Sequence, residues 1–374
     1  MKVRGAVLRE MGLPRPYAES RPLEIVELDL APPGPGELLV RVRAAGLCHS
    51  DLSVIDGTRP RVMPMVLGHE AAGEVVEVGG GAAGFASGDH VVLAFVPSCG
   101  SCLQCRSGRP ALCGPGAVAN TAGSLLSGGR RWSDGGPEQL HHHLGVSAFA
   151  DHVVVSTRSA VRVDPELPFE VAALFGCAVL TGVGAVVNTA HVAPGDRVAV
   201  FGLGGVGLAA LLGARVAGAQ TLVAVDVVEA KLDLARELGA THAVLAGDEA
   251  VETVRTATDG GADHVIETVG SERVLAAAYA ATRPGGSTVT VGLPHPDRML
   301  SIPAVSLVTE ERTLRGSYLG SCVPERDLPR FIGLHRAGRL PVERLLTHRI
   351  SLDEINEGFD RLASGDAVRQ AVIF

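Results

Sequence analysis

Cysteine, lysine and uninterrupted apolar sequence are all scarce in this chain of 374 residues. No run approaches the roughly 18 apolar residues that a membrane-spanning helix needs, so no membrane span is expected. The N-terminus, MKVRGAVLREMG, lacks the apolar core of a secretion signal, and the expected location is the cytoplasm. Lysine is confined to Lys2 and Lys231, the formal net charge is −8 and the arginines are scattered, which argues against a nucleic-acid-binding face. Cysteine numbers only seven, and nothing else suggests an oxidising compartment.

What is present describes a folded globular protein: 46% of residues are hydrophobic and 20% charged. The length predicts two domains, since single cores stop growing near about 250–300 residues. Glycine is abundant, at 47 residues, so short glycine motifs carry little weight unless their surroundings agree.

Four of the cysteines form one cluster, Cys99, Cys102, Cys105 and Cys113, in SCGSCLQCRSGRPALC. Thiolates so spaced can close a tetrahedral site around Zn²⁺ in which no coordination position stays open for chemistry. A disulfide pair is the competing reading, but Cys99 and Cys102 are too close in sequence for an easy bridge. A structural zinc is therefore expected, with the function elsewhere.

The first half of the chain reads as short β-rich segments, LLVRVRAAG, EAAGEVVEVGG, DHVVLAFV and DHVVVSTRSAVRV, punctuated by Gly and Pro. Residues 115–145 form a Gly/Ser-rich excursion holding Trp132 and the run His141-His142-His143. That run could bind metal, and a solvated or locally packed loop is the expectation. From residue 196 strand-like segments (DRVAVFG, TLVAVD, THAVLAG, ADHVIETVG, GGSTVTVGL) alternate with helical ones such as EAKLDLARELG and SERVLAAAYAAT. Alternation of that kind predicts parallel βαβ units. The tail from about 322 is mixed again and is expected to rejoin the first domain.

G-x-G-x-x-G occurs twice. Gly79, Gly81 and Gly84 have no helical pattern after them and read as a turn. Gly202, Gly204 and Gly207 lie between a buried apolar strand and an amphipathic helix, and the next strand ends on Asp226. That context fits a dinucleotide: a tight turn, close backbone approach to pyrophosphate, and a helix N-terminus for its charge. Asp226 can accept hydrogen bonds from both ribose hydroxyls and repels a 2′-phosphate, and no Arg lies between Thr221 and Ala230, so NAD is expected over NADP. A structural βαβ unit without nucleotide is the bland alternative.

Cys48 in GLCHSD, His69 in LGHE and Cys177 in FGCAVLTG could hold a zinc with an open fourth position, although spacing alone does not join them. Singly, each reads as a core cysteine or a satisfied histidine.

Taken in order along essentially the whole chain, GLCHSD, GHEAAG, the four-cysteine lobe, GCAVLTG, FGLGGVG, VAVD, LGAT and INEGFDRLASGDAVRQAVIF resemble the zinc-dependent alcohol dehydrogenases of the medium-chain dehydrogenase/reductase superfamily. The resemblance implies an α/β protein: a GroES-like, β-rich catalytic domain (1–178 and 322–374, with a structural-zinc lobe at about 97–115) and a doubly wound Rossmann domain (179–321). It implies two zincs per chain, the catalytic one on Cys48, His69 and Cys177, with Asp51 orienting the His69 ring and Glu70 near the metal. It places Lys231 on the cofactor ribose and His49 and Arg369 on its pyrophosphate. Thr181, Gly205, Val206, Val291 and Leu293 complete the cofactor contacts.

Phe95, Leu293 and Tyr318 fall at pocket-wall positions. The implied reaction is reversible hydride transfer between a primary or unhindered secondary alcohol and NAD, with zinc lowering the pKa of the alcohol and Ser50 starting a proton relay. By analogy with relatives of this length, a homodimer is expected.

Two positions depart from the family. Ser53 stands where relatives carry the histidine that ends the relay, and Ser53 is no base at neutral pH. Arg59 stands where an apolar or acidic pocket-entrance residue is usual; it either selects polar or anionic substrates or is simply solvated. A relative that oxidises a thiol adduct of formaldehyde, and a non-catalytic zinc-stabilised nucleotide-binding protein, are the competing functions.

Overall fold

The two textures of the sequence correspond to two units in the computed structural model, which describes residues 1–137 and 139–374. The first unit comprises Met1–Cys177, Val323–Arg330 and Leu346–Phe374; the second comprises Ala178–Cys322 and Phe331–Leu345. The tail expected to join the first domain as one block from 322 onward is thus split. Phe331–Leu345 goes with the second unit because Leu340, Val342 and Leu345 are fully buried, Arg344 pairs with Glu237, and Arg339 donates to the Val216 carbonyl at 3.3 Å.

The first unit holds two sheets. In one, the order is Trp132–Ser133, Leu23–Leu30, Lys2–Leu8, Met65–Val66, His141–His142. In the other, the order is Ala160–Arg162, His90–Leu93, Ala71–Val78, Glu37–Leu47, Arg369–Ile373, Leu346–Ile350, and His152–Ser156 pairs with Glu37–Leu47. Valines and leucines from both sheets build one apolar cluster that includes Val7, Leu28, Val40, Val66, Phe149 and Phe359. The strand segments expected from the first half are all present, and Gly79–Gly84 is the turn between Ala71–Val78 and His90–Leu93.

Of the two alternatives for the excursion at 115–145, solvated or locally packed, the structure shows the packed one, with a helix inside it. Gly114–Ala122 is a helix, with Pro in its first turn and the Cys113 thiol accepting the Gly116 N–H at 3.3 Å. Trp132 is fully buried, and all three histidines of the run are buried. Glu37, itself buried, ties the segment down by accepting from Arg131 Nε (2.9 Å), Ser127 Oγ (2.7 Å) and Gly34 N–H (2.8 Å).

The second unit is one parallel sheet of six strands, in the order His242–Leu245, Thr221–Asp226, Arg197–Phe201, Ala262–Glu267, Thr282–Thr290, Thr313–Gly316. That is the doubly wound 3-2-1-4-5-6 order, whose reversal point lies beside the first strand. Val198, Ala199, Val200 and Leu222 to Val225 are buried as a continuous apolar run, as a sheet covered on both faces requires.

One finding corrects the expectation from apolar run length. The helical run Phe169–Ala190, 22 residues, is long and apolar enough to cross a membrane by composition. Because 89% of its window is buried within the protein, core packing accounts for that composition.

Candidate active site

Three separate stretches of the first unit bring Cys48, His69 and Cys177 together, with their ligand atoms all within 4.8 Å of one another and all three residues buried. Cys48 stands where the strand Glu37–Leu47 turns into the helix His49–Ile55. His69 follows Gly68, which has φ +91° and packs so close to the neighbouring chain that a Cβ there would collide with the Phe149 backbone nitrogen. Cys177 sits on a π-helical turn, Phe175–Val179, a local widening common at functional sites. Folding alone supplies the proximity that sequence spacing could not.

The donor set fits a zinc ion on the chemistry of its atoms. Two thiols and one imidazole suit Zn²⁺, and three protein ligands leave a fourth position. His69 Nδ1 lies 2.9 Å from Asp51 Oδ2, while its buried Nε2 has no hydrogen-bond partner. A hydrogen bond from Cys177 holds the Cys48 thiol well below its ordinary range, against burial; the same bond, with burial, pushes Cys177 well up. Burial opposes a charged His69, but Asp51 and Cys48 outweigh it and raise the imidazole to about 10. An environment that negative draws a metal cation in place of the protons.

Around this cluster the other expected residues take distinct places. The Glu70 carboxylate accepts from Arg369 Nη2 at 2.7 Å, and Arg369 Nη1 donates to the Leu47 carbonyl at 3.0 Å. Both side chains are buried, and Gly46 makes room, since a Cβ there would collide with Glu70. Arg369 is therefore bound into the metal-site wall.

Ser50 lies half-buried on the first turn of His49–Ile55, and His49 opens that helix exposed. Ser53 Oγ donates to the His49 carbonyl at 2.6 Å. The Phe95 ring meets His69 edge-on at 5.1 Å between centroids. Arg59 follows the helix, its backbone N–H donating to the Ser53 carbonyl at 2.7 Å.

The run of histidines contains a residue that sequence reasoning left out. His143 is buried, its Nε2 lies 3.4 Å from Asp51 Oδ1, and its ring stands edge-on to His69 with centroids 5.8 Å apart. The signal was the triplet itself, which the sequence alone could not place beside Asp51.

Cys99, Cys102, Cys105 and Cys113 also converge within 4.8 Å, and among the described residues every cysteine is a free thiol. Backbone N–H groups point at the sulfurs: Cys102 at Cys99 (3.3 Å), Cys99 at Cys113 (3.2 Å) and Gly116 at Cys113 (3.3 Å). Backbone donation from Ser101 draws Cys99 down to about 6, and burial drives Cys105 up to about 12. Four such thiols fit a closed zinc site.

In the second unit the glycine motif joins the strand Arg197–Phe201 to the helix Gly205–Ala217. Gly202 has φ +90°, and a Cβ on Gly207 would strike the Gly202 carbonyl. A Cβ on Gly204 would meet nothing, so the helix N-terminus there is open to a ligand. Asp226 ends its strand buried, with Oδ2 accepting from Leu203 N–H (2.6 Å) and Oδ1 from Val228 N–H (2.9 Å). Its carboxylate thus braces the glycine turn, a task the sequence did not reveal.

Lys231 lies in the first turn of Glu229–Leu238, and Thr181 is buried in Leu180–Gly184. Val291 and Leu293 follow the strand Thr282–Thr290, Leu293 being 46% exposed, and Tyr318 follows Thr313–Gly316.

This pairing of a β-rich metal-binding unit with a dinucleotide-type sheet defines a class, the zinc-containing dehydrogenases. Comparison with known proteins agrees. Residues 34–165 match the alcohol dehydrogenase GroES-like domain and residues 205–335 the zinc-binding dehydrogenase family. A provisionally named alcohol dehydrogenase D of Mycobacterium tuberculosis is 39% identical over 377 residues, covering all of both chains. The S-(hydroxymethyl)glutathione dehydrogenase of Escherichia coli is 40% identical, covering 95% of this chain and 97% of that one.

Among solved structures, benzyl alcohol dehydrogenase from Acinetobacter calcoaceticus superposes with a TM-score of 0.92 at 31% identity, covering 100% of this chain and 99% of its own. A provisionally assigned zinc-binding dehydrogenase from Sinorhizobium meliloti 1021, bound to NADP, superposes at 0.80 with 27% identity over the whole of both chains. The chain belongs to the zinc-dependent alcohol dehydrogenase family of the medium-chain dehydrogenase/reductase superfamily.

Proposed function

We propose that this protein is an NAD-dependent alcohol dehydrogenase that interconverts primary or unhindered secondary alcohols with their aldehydes or ketones. The observation that carries the reading is the buried Cys48–His69–Cys177 cluster with an unpartnered His69 Nε2. A zinc held there supplies Lewis acidity toward an alcohol oxygen, and a bound nicotinamide supplies the hydride acceptor.

The chain's own residues do the rest. Asp51, behind His69, fixes the tautomer that leaves Nε2 for metal. Ser50 takes the proton of the substrate hydroxyl and passes it toward solvent. Ser53 does not end that route, because its hydroxyl proton is committed to the His49 carbonyl. Phe95 lends an apolar wall. On the nucleotide side Gly202, Gly204 and Gly207 admit the pyrophosphate, Asp226 takes the ribose hydroxyls, and its charge disfavours a 2′-phosphate. A second zinc on Cys99, Cys102, Cys105 and Cys113 is structural.

A second reading, oxidation of a thiol adduct of formaldehyde, has one observation in its favour. Arg59 makes no side-chain ion pair among the described residues, yet its charge, with that of Arg61, reaches His143 beside the metal cluster. An arginine so placed suits a carboxylate-bearing substrate. The 40%-identical Escherichia coli relative carries that activity in its name. We also propose a homodimer, supported by exposed Met299, Val305 and Val308 (82%, 68% and 79%) close in sequence to the strand Thr313–Gly316 at the sheet edge.

The test is a substrate panel followed by NADH absorbance, run with NAD and NADP and with and without glutathione-type thiols. Turnover of simple alcohols with NAD supports the leading reading. Activity only with the thiol and formaldehyde selects the second.

A further inference from the structure

His143 is an expensive residue to bury without a purpose. Neither ring nitrogen has a hydrogen-bond partner of ordinary geometry, and an imidazole stripped of water without compensation is destabilising, so a leucine would serve better as mere filling. Its backbone is nonetheless held firmly. The His143 N–H donates to Ser147 Oγ at 2.8 Å, and the His143 carbonyl accepts from Val146 (3.0 Å) and Ser147 (3.2 Å). Leu144 and Ser147 take positive φ, +51° and +56°, to form this turn. The chain accepts two uncommon conformations in a turn that presents an imidazole to Asp51.

Asp51 is wholly buried, and each of its oxygens has a task. Oδ2 lies 2.9 Å from His69 Nδ1; Oδ1 accepts from Gly68 N–H at 3.1 Å and faces His143 Nε2 at 3.4 Å. Asp51, His69 and His143 bring their polar atoms within 4.8 Å of one another. The 2.9 Å separation of Asp51 Oδ2 and His69 Nδ1 leaves no space for an ion between them. With only Gly68 on Oδ1, Asp51 could pivot and loosen its hold on His69.

We propose that His143 is a positioning residue: its Nε2–H steadies Asp51, and through Asp51 it fixes His69 as a ligand of the metal held by Cys48, His69 and Cys177. The inference rests on the metal-site reading above and extends it by one layer. Groups that orient a metal-bound histidine typically contribute 10–100-fold in metal affinity, and a residue one step further out belongs at the low end, about tenfold.

The experiment uses the full-length, zinc-loaded protein and follows zinc release into excess 4-(2-pyridylazo)resorcinol. The fast phase is assigned as the one absent in Cys177→Ser, and the slow phase as that of the four-cysteine site. Three variants separate tuning from packing. Gln places an amide N–H near where Nε2 sits, Asn places one near Nδ1, and Leu offers none. His143→Leu and His143→Asn are expected to quicken the fast phase about tenfold, and His143→Gln to stay within about twofold of wild type. The slow phase should be the same in all, and the visible spectrum of the cobalt-substituted site should shift in the Leu and Asn variants only.

Equal fast phases in wild type and all three variants would overturn the proposal, as would His143→Gln behaving like His143→Leu. If the Leu variant does not fold, the Asn and Gln pair decides alone. Wild-type protein with no fast phase would overturn the metal-site reading itself, an outcome distinct from a fast phase that His143 does not influence.

Discussion

Replacing Asp226 should alter cofactor choice and cofactor affinity by different mechanisms that two variants can separate. Near a protein surface two unit charges 4 Å apart interact by about 4 kcal/mol, so on the proposed NAD reading a 2′-phosphate brought to the Asp226 carboxylate would be opposed strongly before salt screening. Asp226→Asn and Asp226→Gly remove that repulsion equally, and NAD should lose roughly 1–3 kcal/mol of its advantage over NADP. The structure adds a second term. Asp226 accepts from Leu203 N–H at 2.6 Å and Val228 N–H at 2.9 Å, and hydrogen bonds to a charged acceptor contribute about 1.5–3 kcal/mol each.

Asn can accept one of those two bonds and Gly neither, so the glycine turn loosens more in the Gly variant. Both cofactors should lose affinity together there, on top of the change in ratio. Titration calorimetry with NAD and NADP on the three proteins measures both terms. Wild-type protein binding the two cofactors equally would refute the reasoning, as would a ratio unchanged in Asp226→Asn.

Ser50→Ala should slow alcohol oxidation by roughly 10²–10⁴, whereas Ser53→Ala should change it little; equal damage from both would place Ser53 in the proton route after all. Ser53→His should raise oxidation rates between about pH 6 and 8 when proton release limits turnover, and single-turnover traces with deuterated alcohol identify that step. Glu70→Gln should cost about 3–5 kcal/mol in urea unfolding, because it leaves the buried Arg369 without its carboxylate, and a loss under about 1 kcal/mol would contradict that.

Burial, with the nearby Arg131 charge, pushes His142 down to about 3 from its ordinary 6.5. The folded state thus binds fewer protons than the unfolded state, and stability falls as pH drops from about 6.5 toward 3, by at most about 1.4 kcal/mol per pH unit from this residue. His142→Gln, whose carbonyl can still accept the Arg131 N–H, should flatten that slope in acid-unfolding curves.

Much of this was legible in the sequence because it rests on local rules. The parallel strands announced themselves by apolar runs alternating with amphipathic helices, and the glycine turn by its context between Arg197–Phe201 and Thr221–Asp226. The four-cysteine lobe is compact in sequence and could be read directly. Cys48, His69 and Cys177 could be joined only by resemblance, since three elements far apart in sequence must fold before they meet. The choice between a solvated and a locally packed excursion at 115–145 stayed open for a related reason. Composition made it a loop, yet Trp132 supplies apolar burial and Glu37, from a distant strand, supplies the polar anchor. The histidine run is held in both ways: the His141 and His142 N–H groups donate to the distant Pro64 and Gly123 carbonyls, and the local turn that Ser147 closes sets His143 beside Asp51.

Zinc content and lability in wild type and Cys177→Ala test the central claim most directly. Carefully prepared wild-type protein is expected to hold two zincs per chain, one released faster than the other. Cys177→Ala should lose the labile zinc and all turnover while keeping the slow zinc and the folded circular-dichroism spectrum. One zinc or none in the wild type, or retained activity in Cys177→Ala, would contradict it.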